Sequence, residues 1–345
     1  MPGAPLGMIL NIHNRTTNPP RIVLEYLSRD GRNKHLVTRG NVDGIVSAAV
    51  FLSIYPNARM SFITSPKAAA NVITLDQTSD EICLVDVALV PDVMKAIDSS
   101  RRSQRFLVVD HHPSTHIDVD RFQIAFGEGV SAANVLYHYL QASLHMKKLV
   151  AVADMVEYCS SDLLREVGRK HGLQRLDEES KVLDFSWRLE IDDDSFRALA
   201  ARHLSQGAWP SQVDSIRSRY VRVLNEKRWP KALARVRSGM YVREGIGIFH
   251  NDDHNRSLYG FGTRALVEVA MRRGCDYALM MNQRKDSCSI SLRGMSPEGV
   301  DLGAFIENFT SDHGLDGGGH RNAAGARIPA CAGEALIESL IKQNA

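Results

Sequence analysis

Apolar runs of two kinds alternate along the first half of the chain. Short β-type runs at residues 36–38, 61–64, 82–86 and 106–110 are separated by helix-compatible stretches such as 91–98 and 131–140. That alternation predicts a parallel sheet with helices on both faces, an α/β domain. Residues 149–153 are also continuously apolar. They fit a strand or a buried helical segment equally, because periodicity alone does not separate the two. From 160 to 235 the pattern changes to charged sequence with helical periodicity at 195–203 and 212–224, broken near Pro210 and Pro230. This reads as a helical connector. Beyond about 236 strands return at 278–281 and 287–292, followed by a glycine-rich turn and a final helix over 333–342. The expected organisation is a loose arm (1–20), an α/β core (21–160), a connector (161–235) and a smaller α/β domain (236–345).

The residues that end the runs carry the chemistry. The run 106–109 stops on Asp110-His111-His112, the run 82–85 on Asp86, and the stretch 149–153 on Asp154. Residues 36–38 lead into Arg39-Gly40-Asn41-Val42-Asp43-Gly44, and 45–52 is then apolar and helix-compatible, so Asp43 belongs to a strand-to-helix turn. In open α/β sheets ligands bind beyond the carboxyl ends of the strands. One strand-terminal aspartate is usually a cap or turn residue. Four of them with a His-His pair point to a site. Carboxylate and imidazole donors suit Mn²⁺ or another divalent first-row ion better than a structural thiolate zinc site.

Composition narrows the class. The 345 residues allow two domains with cores of their own, and 44% hydrophobic with 24% charged content is ordinary for a globular protein. Net charge is +2, from 42 basic and 40 acidic residues. A stable duplex DNA partner would call for a stronger basic bias, although a local patch can hide in a balanced total. Small anionic substrates fit better. Cys83, Cys159, Cys275, Cys288 and Cys331 form no C-x-x-C pair, and an odd count argues for reduced thiols rather than a disulfide framework. No stretch approaches the roughly 18 apolar residues of a membrane span. A soluble, cytoplasmic protein without a membrane partner is expected.

The late segment Asp316-Gly317-Gly318-Gly319-His320-Arg321-Asn322-Ala323-Ala324-Gly325 is a second signal. Positions without Cβ let backbone N–H groups approach an anion, while the neighbouring side chains add charge and hydrogen bonds.

In this order, Asp43-Gly44, Asp86, Asp110-His111-His112, Asp154 and Gly317-Gly318-Gly319-His320 resemble the DHH phosphoesterase superfamily with its DHH-associated C-terminal domain. The resemblance covers most of the chain, least surely 160–235. It implies a two-domain α/β architecture with the active site in the cleft between domains, and Mn²⁺-dependent hydrolysis of phosphate esters. The family includes RecJ-like single-strand exonucleases, nanoRNases that also cleave adenosine bisphosphate, and cyclic or linear dinucleotide phosphodiesterases. By the resemblance, Asp43, Asp86, His111 and Asp154 hold metal, Asp86 bridging toward a second ion where one is present. Asp110 supports the site and His112 faces the scissile phosphate. Gly317, Gly318, Gly319 and His320, with Arg321, Asn322 and Arg293, position the substrate's terminal phosphate or base. Ser131 and Asn134 are candidates for substrate contact, with a helix N-cap as the other reading of Ser131.

One departure matters. The family's first motif reads His-x-Asp-x-Asp, and this chain has Arg39 and Asn41 in its first two functional positions. A neutral histidine, an aspartate and one divalent ion sum to about +1, as do Arg39 and neutral Asn41. The swap favours one tightly held Mn²⁺, with the Arg39 guanidinium clamping phosphate in the missing ion's place; the alternative that stays open has Arg39 facing solvent and Asn41, through its amide oxygen, supporting a weak second ion. The expected activity is a phosphodiesterase releasing nucleoside monophosphates from short linear oligonucleotides or dinucleotides. A single-strand exonuclease, a cyclic-dinucleotide phosphodiesterase and a weakened nucleotide-binding regulatory protein stay open, as does a homodimer.

Overall fold

The computed structural model describes residues 9–11, 32–111, 122–127, 129–251, 258–296, 299–315 and 317–344. The chain divides into two compact units, Met1–Val221 and Arg222–Ala345.

The first unit is built on a six-stranded sheet of β1 (Ile9–Asn11), β2 (Lys34–Arg39), β3 (Arg59–Ile63), β4 (Glu81–Val85), β5 (Arg105–Asp110) and β6 (Phe122–Phe126). Its order is β1-β6-β5-β4-β2-β3, and every neighbouring pair is parallel. The span 1–20, read as an arm, thus contributes one short strand. Around the sheet lie α1 (Val42–Ile54), α2 (Pro66–Leu75), α3 (Pro91–Ser99), α4 (Ala132–Tyr139) and α5 (Lys147–Val156). Leu36, Cys83, Val85, Leu107 and Val109 enter one core with α1, α4 and α5, while Val37, Ile82, Leu84, Phe106 and Val108 enter another with α2 and α3. Successive strand residues feed opposite faces, which is why these strands read as unbroken apolar runs.

Residues 149–153 are helical, within α5, and all five are fully buried. A helix covered on every side loses the apolar stripe that would have marked it in the sequence. Further helices follow: α6 (Asp162–His171), α7 (Leu173–Arg188), α8 (Asp194–Leu204), α9 (Asp214–Asn225) and α10 (Arg228–Gly239). The break expected near Pro230 falls at Lys227, whose φ is 53°. Pro230 itself sits in the first turn of α10, where no intrahelical N–H is required.

The second unit carries β7 (Tyr241–Arg243), β8 (Ile246–Asn251), β9 (Tyr277–Gln283), β10 (Ser287–Gly294), β11 (Gly317–His320) and β12 (Ala323–Pro329), with α11 (Gly262–Arg272), α12 (Leu302–Ser311) and α13 (Gly333–Asn344). The sheet order is β11-β12-β10-β9-β8-β7, antiparallel except for β8 beside β9. Ile248, Leu279, Ile290 and Leu292 pack against Leu302, Phe305 and Ile306 of α12 and Leu336 and Leu340 of α13.

Here one expectation is corrected. Gly317–His320 is an edge strand paired with β12, and only Arg321 and Asn322 make the turn. Strand-poor glycines are used because space decides: a Cβ on Gly317 would lie 2.7 Å from Thr310 Cγ2 of α12, and one on Gly319 only 2.3 Å from the Ala323 carbonyl oxygen. Among the described residues no helix is long and apolar enough to cross a membrane, and the five cysteines are free thiols.

Candidate active site and metal centre

The carboxyl ends of β2, β4 and β5 deliver three side chains to one point. After β2 the chain turns directly into α1, whose N-cap is Asn41; its Oδ1 accepts the Gly44 N–H at 2.9 Å. A Cβ on Gly44 would fall 1.8 Å from the Arg39 carbonyl oxygen, so only glycine lets the helix start this close to the strand. Asp43 is thereby turned inward and fully buried. Its two carboxylate oxygens accept the N–H groups of Ala132 and Ala133, each at 2.8 Å, at the positive end of α4. Asp86 follows β4 with φ at 58°, a left-handed conformation that aspartate tolerates and that accumulates at functional sites. Its N–H donates to the Val109 carbonyl of the adjacent strand at 3.1 Å. His111 follows β5, and its Nδ1 donates to the Val130 carbonyl at 2.8 Å. A carbonyl can only accept, so Nδ1 carries a proton and Nε2 is the ring atom turned toward the carboxylates, the arrangement that orients metal-binding imidazoles. Nε2 stands 3.4 Å from Asp86 Oδ1 and 3.9 Å from Asp43 Oδ2.

Ligand atoms of Asp43, Asp86 and His111 lie within 4.8 Å of one another. Burial pushes the Asp43 carboxyl well above the ordinary carboxylate range, and the Asp86 charge adds to the shift. For His111 burial opposes the charged ring, but Asp86, then Asp43 and Asp110, outweigh it and push its pKa up to about 10. Both shifts have one meaning. Two buried carboxylates facing a neutral imidazole lack a positive charge, and without metal a proton supplies it. Because His111 is raised above its ordinary 6.5, its contribution to stability is complete below that pH and is lost as pH rises through about 10. Metal-free protein should therefore melt at progressively lower temperature across this window, and saturating Mn²⁺ should remove most of the decline. A melting temperature independent of pH there in EDTA would contradict this reading. A cavity of about 420 Å³ lies elsewhere, at the amino ends of the strands, lined by Lys34, Tyr55, Arg59 and Thr78 among others.

The second unit presents a different surface. Registers align Arg293 of β10, Ala323 of β12 and His320 of β11 in one row, and Ser291, Gly325 and Gly318 in another. Alternation puts both rows on one face, opposite the Leu292 and Ala324 face packed by α12 and α13. Gly318, with φ at 158°, has nothing within 4 Å of an added Cβ. The two glycines form a floor beside the positions of His320, Arg293 and Ser291. Gly319→Ala should lower the melting temperature by several degrees through its clash with the Ala323 carbonyl. Gly318→Ala should cost less stability and instead raise KM with Mn²⁺ affinity unchanged. Thermal melts, kinetics and metal titration of both variants check this, and wild-type KM for Gly318→Ala would remove the floor from the site.

Residues 268–344 match the DHHA1 domain. No curated protein matches the sequence. Among solved structures, RecJ in complex with Mn²⁺ from Thermus thermophilus superposes with a TM-score of 0.61 at 14% identity, covering 93% of this chain and 53% of that one. The chain thus spans about half the length of that RecJ. The pGpG-specific phosphodiesterase PggH from Vibrio cholerae gives 0.52 at 15% identity, over 90% of this chain and 98% of that one. The DHH domain of a member of the s1p family of ribosomal proteins gives 0.64 at 16% identity, over 93% and 87%. The chain has the DHH fold, with a DHHA1 domain at its C-terminal end. The fold and the C-terminal domain that the resemblance implied are borne out.

Within the DHH unit the remaining predicted residues fall around the three-residue cluster. Asp154, on α5, lies outside it. Its Oδ1 accepts from the Ser131 N–H (3.0 Å) and Oγ (2.6 Å), and its Oδ2 from Asn134 Nδ2 (2.7 Å) and Ser161 Oγ (2.5 Å). Four hydrogen bonds fill the acceptor positions of a carboxylate. Ser131 is the N-cap of α4, and Ser131 and Asn134 are both buried in this network. Asp110 is buried, its Oδ1 accepting the His111 N–H at 2.9 Å. The Asn41 amide oxygen is spent on its helix cap, and its Nδ2 donates to Asp86 Oδ2 (3.4 Å) and Glu157 Oε1 (3.5 Å). Arg39 ends β2, half-buried, and its guanidinium makes no ion pair with a described residue. His112 lies outside the described residues. In the DHHA1 domain, Arg321 donates to the Gly299 carbonyl (3.1 Å), and the Asn322 carbonyl accepts the Gly294 N–H (2.9 Å).

Two neighbours of the site escaped sequence reading. Glu157, the C-cap of α5, stands three residues beyond Asp154, an i,i+3 spacing visible only once 149–153 is known to be helical. Arg197 of α8, 4% exposed, donates from Nε to the Gly40 carbonyl at 2.9 Å and so braces the turn that delivers Asn41 and Asp43. Nothing in the local sequence marks it.

Proposed function

We propose that the protein is a metal-dependent phosphodiesterase that hydrolyses short linear oligonucleotides or dinucleotides to nucleoside monophosphates. The observation that carries this reading is the Asp43, Asp86 and His111 cluster, with His111 oriented by the Val130 carbonyl so that Nε2 faces two buried carboxylates. Imidazole and carboxylate donors lacking one positive charge fit a divalent first-row ion such as Mn²⁺. Such an ion supplies Lewis-acid activation of phosphate and water. The chain's own residues do the rest. Asp43, Asp86 and His111 hold the cation. Asp154 keeps α4 in place through Ser131 and Asn134, and gives up one of those hydrogen bonds where it joins as a fourth ligand. Asp110 fixes the backbone at His111, and the role at the scissile phosphate that the resemblance implies for His112 is kept in this reading. Arg39 clamps a phosphate oxygen, which its guanidinium geometry suits. Asn41 caps α1 and steadies Asp86, a role that favours one tightly held ion over two. The open β10-β12-β11 face receives the terminal phosphate or base.

The likeness to RecJ and to the pGpG-specific phosphodiesterase supports phosphoester chemistry on nucleotides. Arg39 and Asn41 favour one other reading specifically, a nucleotide-binding regulatory protein with weakened hydrolysis. Incubation of a 5′-phosphorylated dinucleotide with Mn²⁺ separates them. Release of nucleoside monophosphate that vanishes when Asp110, His111 and His112 are all changed to alanine is expected. Tight dinucleotide binding without release would favour the regulator.

A further inference from the structure

The small net charge of the chain conceals a concentrated one. Residues 227–239 hold Lys227, Arg228, Lys231, Arg235 and Arg237 and no acidic side chain, a local +5 in a chain of net +2. These residues are α10 and its N-cap. Ala232 and Val236 are buried, Trp229 and Leu233 half-buried, and Lys227, Lys231, Arg235 and Arg237 exposed. Lys227, Lys231 and Arg235 follow one another at i, i+4 and i+8, a single stripe with cations about 6 Å apart along the axis. Arg228 is paired with Glu226, but none of the four exposed cations makes an ion pair with a described residue.

This arrangement works against the helix. Like charges four residues apart repel, and cations in the first turn oppose the positive end of the helix dipole. No acidic residue stands in that turn and Lys227 provides no side-chain cap. A ligand bearing several regularly spaced negative charges would reverse both effects. The exposed face lacks large apolar side chains, which an interfacial membrane helix would need.

We propose that α10 is a docking strip for the phosphodiester backbone of single-stranded nucleic acid, engaging successive phosphates through Lys227, Lys231 and Arg235 without reading bases. The strip is independent of the hydrolytic reading, since it operates without metal.

The test uses the full chain in EDTA and a labelled strand of about 16 nucleotides, the upper site size of a single-strand groove. Anisotropy is followed between about 50 and 200 mM salt. Binding should weaken steeply with salt, and changing Lys227, Lys231 and Arg235 together to glutamine, a good helix former, should make the slope of log K against log salt shallower by about 2. At the lowest salt the triple variant should bind about tenfold or more weakly, with dinucleotide affinity unchanged within about twofold. Lys231→Glu alone should weaken strand binding in the same direction, which covers a triple variant that fails to fold. An unchanged slope, or binding to anionic vesicles but not to the strand, would overturn the proposal.

Discussion

The Asp86→Asn protein is expected to fold normally, to lose stoichiometric Mn²⁺ binding, and to turn over substrate more than about 100-fold more slowly, beyond the loss that mutating a mere hydrogen-bonding partner of a ligand causes. Asparagine matches aspartate in shape and shares its tolerance of the left-handed conformation at position 86, where φ is 58°. Alanine there would mix strain with chemistry. The Asp86 N–H bond to Val109 belongs to the backbone and survives the change. What disappears is one of the two carboxylates facing His111 Nε2, 3.4 Å away. The melting temperature in EDTA should stay within about 3 °C of wild type, equivalent to about 2 kcal/mol for a protein this large. Retained Mn²⁺ affinity would show that the cluster is not the metal centre.

Asn41→Asp should have the opposite character, creating a site rather than removing one. Aspartate caps a helix as well as asparagine and suits the dipole, so α1 keeps its start. The new carboxylate oxygen, however, takes the place of an Nδ2 that now donates to Asp86 and Glu157. Charge-assisted contacts become repulsions, and the metal-free variant should lose on the order of 1–2 kcal/mol. The same concentration of carboxylates should admit a second divalent ion. Metal analysis should then rise from one Mn²⁺ per chain to two, with Mn²⁺ stabilising the variant more than wild type. Unchanged stoichiometry would mean that Asn41 does not govern the number of ions.

The sequence was most legible where geometry is simplest. Asp43, Asp86 and His111 each lie just past a parallel strand, and a strand ending at a sheet's carboxyl edge needs little beyond its apolar run to be located. Asp154 was found, but not its surroundings. A helix buried on all sides gives no periodicity, so neither the helical setting of 149–153 nor Glu157 one turn on could be read. Arg197 approaches Gly40 from 157 positions further along the chain, a contact only tertiary structure makes. The glycines of 317–319 suggested a turn because local preference favours one. For Gly317 and Gly319 the real cause is the nearness of α12 and of the Ala323 carbonyl, and neither is local. Net charge likewise averaged away the cations of α10.

The central claim is that Asp43, Asp86 and His111 form one metal centre. Anomalous scattering at the manganese edge, on crystals of protein dialysed extensively and reloaded with Mn²⁺, tests it most directly. A single well-occupied ion on His111 Nε2 and the carboxylates of Asp43 and Asp86 is the predicted result. Two well-occupied ions about 3.5 to 4 Å apart, the spacing of two-metal centres, would contradict the one-ion reading. An ion bound away from His111 would contradict the site itself.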